Sequence, residues 1–215
     1  MATTGSTQKP ARNAEQRPGP SARETELLEA AYAYVLEHGL GDLSLRPLAS
    51  AIGSSPRVLL FLFGSKEGLV RALLARARRD EIALLDRARE EQHAGLAATT
   101  ATVWSWLSDE AHRPLVTLWV EAYARSLMDP GGPWAGFARE TVEDWLALLA
   151  GSQPAAERRT TRGGAERTAA LGLLRGSLLD LLATGDRART TAAVEGWVAD
   201  RAERETSSRP TAPRG

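Results

Sequence analysis

Asp109-Glu110-Ala111-His112 is a stretch whose side chains could do chemistry, because their order matches a helicase-type acidic box. Such a box works beside a phosphate-cradling Gly-x-x-x-x-Gly-Lys-Ser/Thr loop and a parallel sheet, and the sequence offers neither pattern. The match is a coincidence of spelling. Glu90, Glu91 and His93 place metal-ligand types in a short span. His38, His93 and His112, however, fall at helix ends or in connections, where a histidine suits the helix dipole or is simply solvated. Cysteine is absent, so disulfides, thiolate metal sites and thiol nucleophiles are excluded. No Ser-His-Asp order and no Gly-x-Ser-x-Gly elbow is found. The expectation is a protein that is not an enzyme and needs no cofactor or metal.

Binding chemistry is better represented. Between residues 55 and 80, Arg57, Lys66, Arg71, Arg76, Arg78 and Arg79 face only Glu67 and Asp80, although the formal net charge of the 215-residue chain is zero. This local excess is a modest footprint for a polyanion, and it could equally be a solvated helix face. A second concentration lies between residues 96 and 150, where Trp104, Trp106, Trp119, Trp134 and Trp145 are joined by Tyr123 and Phe137. Aromatics at helical spacing make a core in the plain reading. In the functional reading, Trp104, Trp119, Tyr123, Phe137 and Trp145 line a cavity for a small apolar or aromatic effector, with Glu121, Arg125 or Asp144 as its polar anchor.

Both sets need helices to position them. Residues 1–21 hold Thr, Gly, Pro and Arg with nothing to bury and read as a disordered arm, as do 206–215 at the other end. Leu27, Leu28, Ala31, Tyr34 and Val35 repeat at three- and four-residue steps, predicting a helix over 22–38 that stops at Gly39. Ser44 before Leu45-Arg46-Pro47 predicts an N-cap with proline harmlessly in the first turn, followed by a short helix to Gly53. Ser55 caps the next helix with Pro56 at its first position, and Gly64-Ser65 breaks it before Lys66 opens a long helix to about residue 92. Further helices are predicted near 96–110, 113–128, 133–150, 165–184 and 187–205, with a polar connection over 151–164. No alternating strand pattern of useful length occurs. No apolar run approaches the ~18 residues of a membrane span. A soluble, cytoplasmic, all-α protein is expected, with no membrane partner.

Ala49 and Gly53, four apart, supply the small contact residue and the positive-φ position that two steeply crossing short helices need. Leu48, Ile52, Leu59 and Leu62 lie at offsets that close a small core around them. Arg23-x-x-x-Leu27-Leu28-x-Ala30-Ala31, Gly39, Ser44-Leu45-x-x-Leu48-Ala49, Ile52-Gly53 and Phe63-x-Ser65-Lys66-Glu67-x-Leu69 resemble the DNA-binding region of the TetR family of transcriptional regulators. The resemblance implies an N-terminal three-helix, helix-turn-helix head at 22–70, followed by a larger helical ligand-binding and dimerisation domain at 71–205. It implies a homodimer that binds a double-stranded operator, with Ser44, Ser55 and Lys66 at phosphate-holding places. Two reading helices about 34–36 Å apart demand a pseudo-palindromic site.

The chain departs from the family where that helix reads DNA. In place of the usual Gly-Thr-Leu-Tyr-x-His-Phe it has Arg57-Val58-Leu59-Leu60-Phe61-Leu62-Phe63, so Leu60 and Leu62 replace a phosphate-binding Tyr and His. On a helix begun at Pro56, Leu59, Leu62 and Phe63 turn to the core and Pro56, Arg57, Leu60 and Phe61 toward the groove. Arg57 alone can donate to base edges, while Val58, Leu60 and Phe61 can meet thymine methyls. Positioning would then lean on Ser44, Arg46, Ser55, Lys66 and the arm residues Lys9, Arg12 and Arg17. The competing reading is a TetR-like dimer whose degenerate reading helix meets protein, leaving a ligand sensor or interaction module. For dimerisation, Leu171, Leu174, Leu178, Leu181 and Leu182 form an apolar stripe broader than one small core needs. Gly172-x-x-x-Gly176 permits close approach, and Val194, Trp197 and Val198 answer from the next helix. That stripe is expected at the dimer interface, an internal hairpin core being the alternative.

Overall fold

The computed structural model describes residues 21–41, 43–90 and 95–207, the side chains of 88–90 excepted. The expected arm, its Lys9, Arg12 and Arg17, the expected C-terminal tail and the Glu91 and His93 of the candidate metal cluster lie outside that range.

Helices alone make up the regular structure of the described residues: α1 Ala22–His38, α2 Leu45–Ala51, α3 Pro56–Phe63, α4 Lys66–Glu90, α5 Leu96–Leu107, α6 Arg113–Met128, α7 Phe137–Ser152, α8 Ala155–Arg158, α9 Thr161–Thr184 and α10 Arg187–Ser207. None of them is long and apolar enough to cross a membrane. Ala31, Tyr32 and Val35 of α1 close on Leu48 and Ala49 of α2, Leu59 of α3 and Leu69 and Leu73 of α4. Gly53 adopts φ +62° in the turn between α2 and α3, the conformation for which glycine was expected there. The amide of Ser54 donates to Ala49 O at 2.8 Å and closes that turn.

The two serine caps differ. Ser55 Oγ accepts from Val58 N at 3.3 Å, the third residue of α3. Ser44 makes no side-chain cap bond, against expectation. Its third helical residue is Pro47, which has no N–H to give, so a proline harmless at the first position removes the donor at the third. Ser65 caps α4 through Gly68 N at 3.0 Å, a role the sequence reading left unassigned.

Three boundaries also move. The acidic box lies in a 3-10 turn, Glu110–His112, where Asp109 accepts from Ala111 N and the His112 ring stacks on Trp106 with centroids 3.8 Å apart. Residues 133–136 precede α7 in turns rather than opening it. The supposed polar connection contains α8 and the first turn of α9, whose Thr160 caps Gly163 N at 2.9 Å. Gly163 is packed so tightly on α8 that a Cβ would sit 2.1 Å from Glu157 O. Arg167 Nη1 donates to Gln153 Oε1 at 2.6 Å, and Gln153 Nε2 to Gly163 O at 3.2 Å. Polar bonds hold this segment, and apolar periodicity does not record them.

Candidate functional site

In the head, α3 presents one exposed face made by residues spaced three and four apart. Arg57 is exposed, Val58 and Leu60 are 39% and 41% exposed, and Phe61 is 85% exposed. Leu59 faces inward at 1%, whereas Leu62 and Phe63 are only half-buried, not the full core residues expected. Pro56 and Ser55 are half-buried at the start of α3, while Ser44, Arg46 and Lys66 are exposed around it. The head thus brings Ser44, Arg46, Ser55, Pro56, Arg57, Leu60, Phe61 and Lys66 into one small unit.

The basic run divides into two populations. Arg76 Nε donates to Glu29 at 2.8 Å and its Nη1 to Asp80, Arg79 approaches Glu29 at 3.7 Å, and Arg78 binds Glu81 and Asp144. Those three arginines join helices together. Arg46, Arg57, Lys66 and Arg71 are exposed without an ion pair among the described residues. Arg71 belonged to the charge run but was not assigned to the site. Its sequence signal is position alone, five residues beyond Lys66 on α4.

The second site is a cavity of about 110 Å³ among α4, α5, α6, α7 and α9. Trp119, Tyr123 and Trp145 line it as expected, with Leu171, Leu174 and Leu178 of α9 supplying much of the apolar wall. The polar wall differs from expectation. Glu81, 1% exposed, accepts from Trp145 Nε1 at 2.6 Å and from Arg78 Nη1 at 3.0 Å. Burial pushes the Glu81 carboxyl above its ordinary range, opposed by those two donors. Arg175 lies across from it, its Nη1 donating to Tyr123 Oη at 3.2 Å. Glu81 and Arg175 had no helical-face signal to single them out among many charged residues.

The remaining pocket candidates sit elsewhere. Glu121 turns toward the head, accepting from Leu40 N at 2.9 Å and pairing with Arg125 at 3.3 Å. Asp144 is taken by Arg78. Trp104 donates to Thr191 at 3.1 Å, joining α5 to α10, and Phe137 is buried at the start of α7 beyond the cavity wall.

The residues expected at a dimer interface are also repositioned. Leu171, Leu174, Leu178, Leu181 and Val194 are 1–7% exposed within one chain, so they have almost no surface left for a partner. Trp197 is half-buried. The stripe was too wide for a hairpin because it faces both α10 and the cavity. Exposed small residues lie on both helices, Gly172 and Gly176 on α9 and Ala192, Gly196 and Ala199 on α10, with Leu179 exposed on α9 as well.

Residues 27–73 match the profile of bacterial regulatory proteins of the tetR family. No curated protein matches the sequence. Among solved structures, a TetR transcription regulator from Haloarcula marismortui is 15% identical, with a TM-score of 0.63 over 84% of this chain and 96% of its own. A TetR-family transcriptional regulator from a Rhodococcus species is 17% identical, with a TM-score of 0.64 over 84% and 99%. The multidrug binding protein EbrR complexed with proflavin is 22% identical, with a TM-score of 0.60 over 82% and 99%. These likenesses extend the fold beyond the matched head to the helical body. Residues 27–73 are thus similar to the tetR-type DNA-binding head, and the described chain shares the all-helical fold of solved TetR regulators.

Proposed function

We propose that the chain is a homodimeric, ligand-responsive repressor that reads a pseudo-palindromic operator with α3 and releases it when a small apolar or aromatic effector enters the cavity. One observation carries the DNA reading: Arg57 projects from the exposed face of α3 while Arg46, Lys66 and Arg71 stand unpaired around it. Arg57 is suited to a guanine edge, and the exposed Leu60 and Phe61 to thymine methyls. The other cations, with Ser44, suit phosphate oxygens. Ser55 Oγ, engaged with Val58 N, leaves its hydroxyl hydrogen for a phosphate.

Two helices support the effector reading because each touches both sites. On α4, Asp80 accepts from Tyr32 Oη of α1 at 2.8 Å, and its neighbour Glu81 enters the cavity wall. On α6, Glu121 holds Leu40 N at the end of the α1 segment, while Trp119 and Tyr123 line the cavity. A molecule that fits the cavity in only one arrangement of α4 and α6 biases the head by its difference in affinity between the two. EbrR, whose structures hold imidazole and proflavin, makes flat ring compounds reasonable effectors. For the dimer, the exposed glycines and alanines of α9 and α10 suit close helix packing with a second copy.

The test is selection of bound fragments from a random duplex library with the full chain. An enriched two-fold motif, each half containing a guanine, supports the proposal. A folded protein that enriches no motif contradicts it and directs attention to a protein partner for Leu60 and Phe61.

A further inference from the structure

Two residues that line the cavity, Trp119 and Arg175, each carry a hydrogen-bond donor left without an acceptor among the described residues. Trp119 Nε1 and Arg175 Nη2 are both buried, and neither has a partner. Two other buried indoles have acceptors: Trp104 donates to Thr191 and Trp145 to Glu81. A buried donor without an acceptor is costly, and more so when it belongs to a charged group. Each of these residues lines the cavity.

The charge at this site is also uneven. Arg175 donates its Nη1 to Tyr123 and lies over that ring at 4.8 Å, but it forms no ion pair among the described residues. The acid across the cavity, Glu81, is already held by Arg78, Trp145 and Thr141. Arg78 in turn takes Asp144 and approaches Glu140 at 3.9 Å. Glu81, Asp144 and Glu140 all turn to the one Arg78, and none of them bonds Arg175 directly. Around it the wall is apolar, from Leu107, Leu171, Leu174 and Leu178.

We propose that this cavity takes an organic acid: an apolar body against the leucines and Trp119, and one carboxylate accepting from Arg175 Nη2 with Trp119 Nε1 as second donor. This rests on the reading of the cavity as the effector site and names the class of effector. A carboxylate brings two acceptor oxygens and a negative charge bonded directly to Arg175. A neutral acceptor satisfies the donors without the charge, and a cation satisfies neither.

The full chain is titrated by calorimetry with phenyl, naphthyl and octyl compounds, each offered as carboxylate, primary amide and primary ammonium. The expected result is that, for any body that binds, the carboxylate binds at least tenfold tighter than its ammonium counterpart and several-fold tighter than the amide. Arg175→Met abolishes that preference and Arg175→Lys retains it over the ammonium. Trp119→Phe weakens carboxylate and amide alike by several-fold, which keeps the inference testable if Arg175→Met does not fold. Ammonium binding equal to carboxylate, or a preference unchanged in Arg175→Met, overturns the acid while leaving the cavity as a binding site. If no compound binds in any form, the effector cavity itself is overturned and the acid with it.

Discussion

Arg57 and Lys66 are both exposed cations of the head, and the proposed function gives them different tasks. Arg57→Ala should relax preference at one operator position, at a cost of about 1–3 kcal/mol for the guanine it reads. Lys66→Ala should weaken binding on every sequence and reduce the salt slope by about one. Competition between operator and scrambled duplexes separates the two, and equal loss of preference in both variants would refute the assignment. Phe61 and Leu59 differ in the same way for stability. Leu59→Ala should cost ~2–5 kcal/mol, because Leu59 is 1% exposed and its removal opens the head core. Phe61→Ala, at an 85% exposed site, should change stability by no more than about 0.5 kcal/mol while impairing recognition. Denaturant midpoints for both variants test this. For Glu81, the raised carboxyl means that the folded chain holds its proton more tightly than the unfolded chain. Its contribution to stability is fully present below the ordinary value of 4.5 and is lost as pH rises through the raised value. Glu81→Gln should therefore flatten the melting temperature profile just above pH 4.5. A profile parallel to the parent's contradicts this.

At the scale of elements, α6, like α4, links head and cavity. Glu121→Ala leaves the buried Leu40 amide without its acceptor, which should cost ~1–3 kcal/mol, felt first in the head. Hydrogen exchange should show loss of protection at Leu40 with α9 amides unchanged, whereas uniform loss across both would place Glu121 in the general core. This bond shows where the sequence stopped being informative. The turn glycine Gly53, the cap Ser55 and the outward Arg57, Leu60 and Phe61 were legible because each depends on local spacing along one helix. Glu121 pairs with a residue 81 positions away, and Arg175 with Tyr123 across 52, so their faces depend on how helices pack. The same limit misassigned Leu171, Leu174 and Leu178: periodicity reported an apolar face but not what it packs against. Tyr32 was likewise read past, since its hydroxyl is satisfied only by Asp80 from α4.

In the proposed function the whole molecule places two heads at a fixed separation, which takes a second copy of the chain. Gly172 and Gly176 face outward, and a Cβ at either meets no atom within 4 Å. Gly176→Gln should thus suit the single chain, gaining up to about 1 kcal/mol of helix propensity. If this face meets a second copy, the same change should weaken the dimer and with it operator affinity. Sedimentation equilibrium of Gly176→Gln tests it, and an unchanged dimer moves the interface to another face. The central claim is that this assembly binds DNA by its phosphates and reads it through Arg57. It is tested most directly by titrating the selected duplex over a range of salt concentrations. The account predicts that log affinity falls steeply and linearly with log salt, with a slope set by the phosphates the two heads contact. A flat response would contradict it, because docking through Leu60 and Phe61 alone releases no counterions.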